Sequence, residues 1–316
     1  MGDFLLICVK ENISKYATST GFIGSNIEKV MRLLDVLNFL FSKCSFKNKL
    51  ILKGGTAINL IHTNLKRLSV DIDLDYCGSL DKDIALKDRE LLEKELDDFM
   101  IREEYEVSTK SRSSFALFSR IYRYENAFGN IDTIKVDINF MDRVHLYSYA
   151  IFTVNYFDKT TTIKTPAIEE LFGMKINALI DRSKPRDLYD SVFLADNMRL
   201  FDKNMLRKAI IYYLSLNNTF KIDKTSLDRI NTINNKNIKA ELLPVLKKNE
   251  RIDLEETKEK VINSLSKLLV LSDSEKQYLD SFSKGNYNPS LLFGEPVASR
   301  ATSHPMAKWR IMNLKK

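Results

Sequence analysis

The stretch that most constrains this chain runs from Lys53 to Asp75, because it begins with two adjacent glycines and ends with alternating carboxylates. Residues 50–52, which are all aliphatic, predict a short buried strand before it. The Gly54-Gly55 pair predicts a tight turn, and Thr56 is expected to be the N-cap of the helix that follows. Residues 69–75 then predict a second strand.

The second strand brings paired carboxylates to one face. On a strand, Asp71 and Asp73 project to the same side, about 7 Å apart along the backbone, and Ile72 and Leu74 project to the opposite, buried side. Carboxylates this close repel unless a cation lies between them, and Mg²⁺ binds to one or two carboxylates together with substrate phosphates. Asp75 continues the alternation, so the alternative that Asp73 and Asp75 are the metal-binding pair stays open.

The glycine pair supplies a site for the anion that accompanies such a metal. Without side chains, Gly54 and Gly55 let a triphosphate approach their backbone N–H groups closely, beside a helix N-terminus that favours negative charge. A lone Gly-Gly is most often a simple turn, and a lone Asp-x-Asp is usually a solvated loop. Their order of strand, glycine turn, helix and acidic strand favours a site for a metal and a nucleoside triphosphate.

A third carboxylate lies on a later strand, predicted over residues 131–140. There Ile134, Val136 and Ile138 form one face, and Asp137 lies on the other. Three carboxylates fit a site with two Mg²⁺ ions about 3.5–4 Å apart, which would activate an attacking hydroxyl and stabilise leaving pyrophosphate. The alternative is that Asp137 is an ordinary polar residue of an edge strand.

These residues resemble a known family. Gly-Gly-Thr-Ala at 54–57, followed by Arg-Leu-Ser-Val-Asp-Ile-Asp-Leu at 67–74, resembles the glycine turn and Asp-x-Asp of the nucleotidyltransferase superfamily. More narrowly, the chain resembles the AbiEii/AbiGii toxins of type IV toxin–antitoxin and abortive-infection systems. Residues 175–190, a Lys followed by Arg-Asp-Leu-Tyr-Asp, resemble that family's second motif, and residues 304–309 resemble its usual ending.

The resemblance implies roles for further residues. Asp137 matches the superfamily's third aspartate, and Ser69, Lys175 and Asp187 match positions that are functional in the family. Lys175 would offer a point charge to the triphosphate, and Asp187 would orient Lys175 or the nucleophile. For that pair the alternative is a salt bridge between two helices that locks the two lobes together. For Ser69 it is that the residue begins the strand or makes a local hydrogen bond. The expected catalytic residues are Asp71, Asp73, Asp137, Lys175 and Asp187, the nucleotide-binding residues are Gly54, Gly55, Thr56, Ser69 and Lys175, and the metal ligands are Asp71, Asp73 and Asp137.

The pattern along the chain predicts an α+β fold. We expect a mixed, nucleotidyltransferase-type sheet with helices over residues 1–165, and a mostly helical C-terminal lobe over residues 166–316, where the apolar spacing becomes helical. Within the first part, helices are expected over 25–43 and 84–105. In the second of these helices the apolar side chains expected to face inward are Leu91, Leu92, Leu96 and Phe99.

Composition places the chain among globular proteins of the cytoplasm. Its 316 residues suffice for two domains, and 44% hydrophobic and 29% charged residues are ordinary values. No run of 18 apolar residues predicts a membrane span. The apolar run at residues 4–9 predicts a core strand or the start of a helix, not a signal peptide. Three widely spaced cysteines indicate reduced thiols and no structural zinc.

The net charge of +7 lies entirely in the second part of the chain. Residues 1–165 contain 23 basic and 23 acidic side chains, and residues 166–316 contain 26 and 19. This asymmetry favours contact between the C-terminal part and a phosphate backbone. A generally lysine-rich composition explains the excess equally well.

By resemblance, the expected activity is transfer of a nucleoside monophosphate (NMP) from a nucleoside triphosphate (NTP), with Mg²⁺ or Mn²⁺. The NTP is expected to be GTP or a pyrimidine NTP, and the acceptor to be RNA, foremost the 3′ end of tRNA, so that translation stops. One alternative is NMP transfer to a protein hydroxyl, and another is a non-catalytic protein that binds GTP or RNA. The family implies a cognate antitoxin. Whether the antitoxin binds the toxin directly, silences its transcription or modifies it stays open.

Overall fold

The computed structural model describes residues 10–217 and 219–314. The apolar segment expected to form a core element at residues 4–9 lies outside the described residues. In the described part of the chain, no helix combines the length and hydropathy that a bilayer span needs.

The described residues divide into two compact units that do not follow a single cut in the sequence. The first unit comprises the described residues up to Arg143, Ala150–Thr165 and Leu243–Glu250, and the second comprises Val144–Tyr149, Pro166–Leu242 and the described residues from Arg251 onward. We call them the sheet unit and the helical unit.

The sheet unit is built on a mixed sheet of six strands in the described part of the chain, in the order β1-β2-β6-β5-β3, with β4 also paired to β5. Its strands are β1 (Leu50–Lys53), β2 (Asp71–Tyr76), β3 (Glu106–Val107), β4 (Arg112–Ser113), β5 (Leu117–Glu125) and β6 (Ile131–Asn139), and a separate hairpin is formed by β7 (Ala150–Tyr156) and β8 (Lys159–Thr165). Strand β2 is antiparallel to β1 and parallel to β6, and β6 is antiparallel to β5. The expected α+β class with a mixed sheet is confirmed.

Helices pack on this sheet through apolar stripes. They are α1 (Lys10–Thr20), α2 (Gly24–Asn38), α3 (Gly54–Ala57) and α4 (Lys82–Arg102). Helix α2 buries its apolar face and continues into a π-helical turn at Phe39–Lys43. Together they cover the helix expected over 25–43. In α4, Leu92 and Leu96 are buried and Phe99 stacks on Phe39. The expectation for Leu91 is wrong, because it lies one residue, about 100° of rotation, from the buried stripe and is 60% exposed.

The hairpin of β7 and β8 was not expected from the sequence. Its two turn residues, Phe157 and Asp158, both have left-handed backbone angles, with φ of 54° and 59°, as in the two-residue turns that match the twist of a hairpin. The Lys159 ammonium lies 2.6 Å from the Asp35 carboxylate of α2. This ion pair and the twist of the turn fix the hairpin within the sheet unit.

The helical unit contains helices only, as far as its described residues go. They are α5 (Ile168–Arg182), α6 (Pro185–Asp196), α7 (Lys203–Leu216), α8 (Lys224–Asp228), α9 (Asn235–Asn237), α10 (Leu254–Leu268), α11 (Asp273–Ser283), α12 (Val297–Ser303) and α13 (Pro305–Leu314). Short 3-10 and π-helical turns, such as Arg229–Thr232 and Ile238–Leu242, connect several of them.

A buried carboxylate anchors residues 144–149 in the helical unit. The Glu170 side chain of α5 is fully buried and accepts hydrogen bonds from the backbone N–H groups of Leu146 and Tyr147, at 2.7 and 3.0 Å. The Tyr213 hydroxyl also donates to it, at 2.6 Å. Because a buried carboxylate needs such partners, this network explains why the segment leaves the sheet unit.

Candidate active site

The three aspartates on the polar face of strand β2 differ in their exposure to solvent. Asp71 and Asp73 are partly exposed, and Asp75 is fully buried. The Lys53 ammonium at the end of β1 lies 2.5 Å from the Asp75 carboxylate and 3.3 Å from that of Asp142. Burial alone would lower the pKa of Lys53, but these two carboxylates raise it above its usual range. The pair therefore commits Asp75 to an internal ion pair, and Asp71 and Asp73 are the aspartates of β2 that face outward.

The third predicted carboxylate lies beside them. In the parallel pairing of β2 with β6, Asp73 is the register partner of Asp137, and Asp71 is the partner of Lys135. Directly paired residues of neighbouring strands project to the same face of a sheet. The structure thus brings Asp71, Asp73 and Asp137 to one face, together with a lysine that the sequence prediction gave no role.

Two side chains hold the Asp137 carboxylate. The Ser119 hydroxyl, from the register partner on β5, donates to Oδ1 at 2.6 Å, and the Lys135 ammonium donates to Oδ2 at 2.5 Å. Burial on its own would lower the pKa of Lys135, but the hydrogen bond to Asp137 and the nearby Asp71 and Asp73 carboxylates outweigh burial and raise it. Lys135 is therefore a cation placed among the three aspartates.

The glycine turn lies against the same carboxylates. Gly54 has a left-handed φ of 71°, and a Cβ at this position would be 2.6 Å from Oδ2 of Asp73. A Cβ on Gly55 would be 2.4 Å from the Arg67 guanidinium and 3.1 Å from the Ser69 hydroxyl oxygen. Gly54 requires glycine, because its φ is left-handed and the Asp73 carboxylate occupies the space of a Cβ, whereas a Cβ on Gly55 would displace the end of the Arg67 side chain.

Thr56 connects the turn to β2, although not as the sequence indicated. Helix α3 begins at Gly54 with Lys53 as its N-cap and no side-chain cap, so the expected N-cap role of Thr56 is wrong. Its hydroxyl lies 3.0 Å from that of Ser69 and donates to the backbone carbonyl of Asp71. Thr56 is almost fully buried. The hydroxyl thereby fixes the glycine turn against the start of the acidic strand.

Two residues behind the turn were not predicted. Asn59 donates to the Gly55 carbonyl at 2.9 Å and accepts from the Thr63 hydroxyl at 3.1 Å. Arg67, only 2% exposed, donates through Nη1 to the Leu68 carbonyl at 2.9 Å. The sequence offered no local signal for the burial of Arg67, which follows the exposed Lys66.

Among the predicted metal ligands, Asp71 and Asp73 have the arrangement that fits an ion completed by phosphates. Within residues 10–217 and 219–314, no group of three or more His, Cys, Asp or Glu side chains is placed to ligate one ion. Asp71 and Asp73, partly exposed on one face of β2, match the one or two carboxylates with which Mg²⁺ is bound when phosphates complete its shell. Asp137 is turned to Ser119 and Lys135. These residues could hold Mg²⁺ once a triphosphate supplies the other oxygens.

The remaining predicted residues form a buried ion cluster in the helical unit. The Lys175 ammonium of α5 lies 2.8 Å from the Asp187 carboxylate and 3.0 Å from that of Asp190, both on α6. Arg182 approaches Asp187 with two nitrogens, at 2.7 and 3.1 Å. Pro185 begins α6, which places Asp187 in its first turn. Asp190 and Arg182 were not predicted, although Asp190 closes the matched Arg-Asp-Leu-Tyr-Asp motif.

The electrostatics of this cluster are balanced. Burial would raise the pKa of Asp187, but Lys175 and Arg182 lower it to about 2. Lys175, Asp187 and Asp190 are each at least nine-tenths buried. Lys175 is thus a buried lysine whose charge is shared by two carboxylates. The salt bridge between two helices is present, but both helices belong to the helical unit, so the expectation that it locks the two lobes together is wrong.

Two comparisons with known proteins are informative, one for the family and one for the fold. The family model described as the nucleotidyl transferase AbiEii toxin of type IV toxin–antitoxin systems matches residues 36–282. No curated protein matches the sequence. Among solved structures, the chain is similar to MenT4, a nucleotidyltransferase toxin from Mycobacterium tuberculosis, with a TM-score of 0.63 and 14% identity over 96% of this chain and 97% of that one. At this identity the likeness shows the fold.

Proposed function

The chain belongs to the AbiEii family of nucleotidyl transferase toxins from type IV toxin–antitoxin systems, and from this membership we propose that it transfers NMP from an NTP to RNA. The proposed acceptor is the 3′ end of tRNA, whose blocking stops translation. The proposed cofactor is Mg²⁺ or Mn²⁺, and the proposed NTP is GTP or a pyrimidine NTP. The proposed partner within the system is a cognate antitoxin.

One observation carries this proposal: three carboxylates of neighbouring strands lie on one face next to a glycine turn. Asp73 and Asp137 are register partners, Asp71 precedes Asp73 by two residues, and Gly54 packs on the Asp73 carboxylate. Nucleotidyl transfer needs a place for a triphosphate, ligands for a metal and an acceptor for a proton. These residues offer all three within the sheet unit.

In the proposed reaction, the N–H groups at Gly54 and Gly55 bind phosphate oxygens and orient the α-phosphorus. Asp71 and Asp73 would hold Mg²⁺, which supplies positive charge to the phosphates when bound. Asp137 accepts the proton of the acceptor hydroxyl, whose oxygen forms a bond to the α-phosphorus. The bond between that phosphorus and the bridging oxygen of the β-phosphate breaks, and pyrophosphate leaves.

An RNA acceptor is favoured over a protein by charge. The excess of seven basic side chains lies in residues 166–316, and lysine and arginine bind nucleic acid mainly through its phosphates. In this proposal, Lys175 and Asp187 contribute to the structure of the helical unit through the ion cluster that joins α5 to α6.

The test incubates purified protein with Mg²⁺, total tRNA and each NTP in turn, labelled at the α-phosphate. Asp71→Asn and Asp137→Asn should lose transfer. Asp132→Asn, on the same strand as Asp137 and likewise paired with a lysine (Lys29, 2.6 Å), should keep it. Label in tRNA with the wild type supports the proposal and identifies the base.

Two results would contradict the proposal. Label that appears in protein and not in tRNA would retain the chemistry but replace the acceptor. No transfer to any acceptor, with any NTP or metal, would favour a binding protein without catalysis.

A further inference from the structure

The proposed reaction poses a problem of charge, and the inference below rests on that proposed function. A triphosphate would enter a face that already carries the carboxylates of Asp71, Asp73 and Asp137. Anions that approach carboxylates at short range are repelled unless cations accompany them. Beyond any metal ion, a side-chain cation that can reach the phosphates would reduce this repulsion.

Two cations of the sheet unit close to the turn are committed elsewhere. Lys53 lies between the buried Asp75 carboxylate and Asp142, at 2.5 and 3.3 Å. Arg67 is 2% exposed and packs its guanidinium on the backbone of Gly55. If Lys53 moved toward a ligand, the buried Asp75 carboxylate would lose its cation, which is costly in free energy. If Arg67 moved, the glycine turn would lose the side chain that packs against Gly55.

Lys175, which the resemblance marks for the triphosphate, has a similar constraint in the helical unit. Its ammonium is shared by Asp187 and Asp190, and its side chain is 5% exposed. Turning to a phosphate would uncover two buried carboxylates at once, at a cost that a single new contact does not offset.

Lys135 differs from these cations in exposure. Its side chain is 42% exposed, and it reaches Asp137 from the same strand, two residues away. Its register partner is Asp71, the first residue of β2. The Thr56 hydroxyl connects this end of β2 to the glycine turn through its hydrogen bond to the Asp71 carbonyl. A lysine ammonium on a flexible four-carbon stem can change partners within this range.

We propose that Lys135 is the side-chain cation that binds the triphosphate. Without nucleotide it rests on the Asp137 carboxylate and offsets the charge of the three aspartates. When nucleotide binds, the ammonium turns from Asp137 to phosphate oxygens. This exchange leaves Oδ2 of Asp137 open to receive the proton of the acceptor hydroxyl, so that the base becomes available only when the substrate is bound.

The experiment compares nucleotide affinity in Lys135→Met with that in a matched control. Lys49→Met removes a lysine of the same sheet unit that is 41% exposed and lies 2.6 Å from an aspartate, Asp88. Affinities are measured by calorimetry with Mg²⁺, for the α,β-methylene analogue of each NTP and for the corresponding NMP. These analogues do not react, so binding is measured apart from turnover.

We expect Lys135→Met to bind the triphosphate analogue about tenfold or more weakly, with the NMP affinity changed less than about twofold. Lys135→Arg should recover part of the loss, and Lys49→Met should match the wild type. A melting curve for each variant confirms that it is folded.

Two outcomes overturn the inference alone: Lys135→Met binds the triphosphate analogue as the wild type does, or it loses triphosphate and monophosphate affinity equally. If the wild type binds none of the four analogues, the proposed function fails as well. The affinity of the wild type for the analogues therefore tests the proposed function. The ratio of the affinities of Lys135→Met and the wild type tests the role of Lys135.

Discussion

Gly54 and Asp73 are in such close contact that a Cβ on the glycine would be 2.6 Å from Oδ2 of the aspartate. The two residues come from different parts of the central motif, and the antiparallel pairing of β1 with β2 brings them together, with Lys53 opposite Asp73. The turn that would bind phosphate and a carboxylate that would bind metal are therefore in direct contact. Changes in either should affect the other.

Gly54→Ala tests this contact. The added methyl group must displace the Asp73 carboxylate, and we expect transfer activity to fall about a hundredfold, since small misplacements in an active site have effects of that order. Gly129→Ala is the control, because Gly129 has a similar φ of 79° and nothing within 4 Å of its added Cβ. Both variants should lose about 1–2 kcal/mol of stability through backbone strain, and only Gly54→Ala should lose activity. Equal activity in the two would contradict the contact.

The buried cluster of the helical unit predicts a different kind of defect. Lys175→Met removes the cation shared by Asp187 and Asp190, and we expect the free energy of unfolding to fall by about 3–5 kcal/mol, as when one partner of a buried ion pair is removed. Lys184→Met, which breaks an exposed pair with Glu241, should change it by less than about 1 kcal/mol. Urea denaturation measures both. A stable Lys175→Met would show that the cluster is not structural.

Much of this architecture follows from periodicity in the sequence. The helices expected over 25–43 and 84–105 are found at Gly24–Asn38, with its π-helical continuation to Lys43, and at Lys82–Arg102. Long segments with a clear apolar stripe have one way to bury it, so local spacing decides their structure.

The separation of Asp75 from Asp71 and Asp73 could not be predicted in the same way. All three share the period of two, and the difference arises from Lys53 on the partner strand. A pairing register depends on contacts between distant parts of the chain, which local patterns do not contain. The hairpin at 150–165 was missed for the same reason, and so was the return of Leu243–Glu250 to the sheet unit.

A partly buried histidine should make stability depend on pH. Burial lowers the pKa of His62 in the folded protein to about 4, below the value of about 6.5 in an unfolded chain. The unfolded state therefore binds the proton first as pH falls, and stability present above about pH 6.5 is lost toward pH 4. Between pH 7 and 5 we expect a loss of about 1–2 kcal/mol from this residue.

His62→Leu should remove that loss. The opposite contribution of Asp35 remains, because burial raises its pKa to about 6 in spite of Lys159, so that protonation of Asp35 favours the folded state in this range. The variant should therefore be unchanged or more stable at pH 5 than at pH 7 in urea titrations. Parallel pH curves for variant and wild type would argue against a partly buried His62 that stays neutral in the folded protein.

The hydroxyl of Thr56 offers the sharpest test of how the glycine turn depends on β2. Thr56→Val keeps the shape of the side chain and removes the contacts with the Asp71 carbonyl and the Ser69 hydroxyl, whereas Thr56→Ser keeps the hydroxyl. Loss of a hydrogen bond to a partly buried carbonyl costs about 0.5–1.5 kcal/mol. We expect Thr56→Val to lose that much stability and to bind the triphosphate analogue about tenfold more weakly, and Thr56→Ser to stay close to the wild type in binding. Because Val and Thr have nearly the same volume, a loss in Thr56→Ser together with wild-type behaviour of Thr56→Val would mean that packing of the methyl group, and not the hydroxyl, connects the turn to the acidic strand.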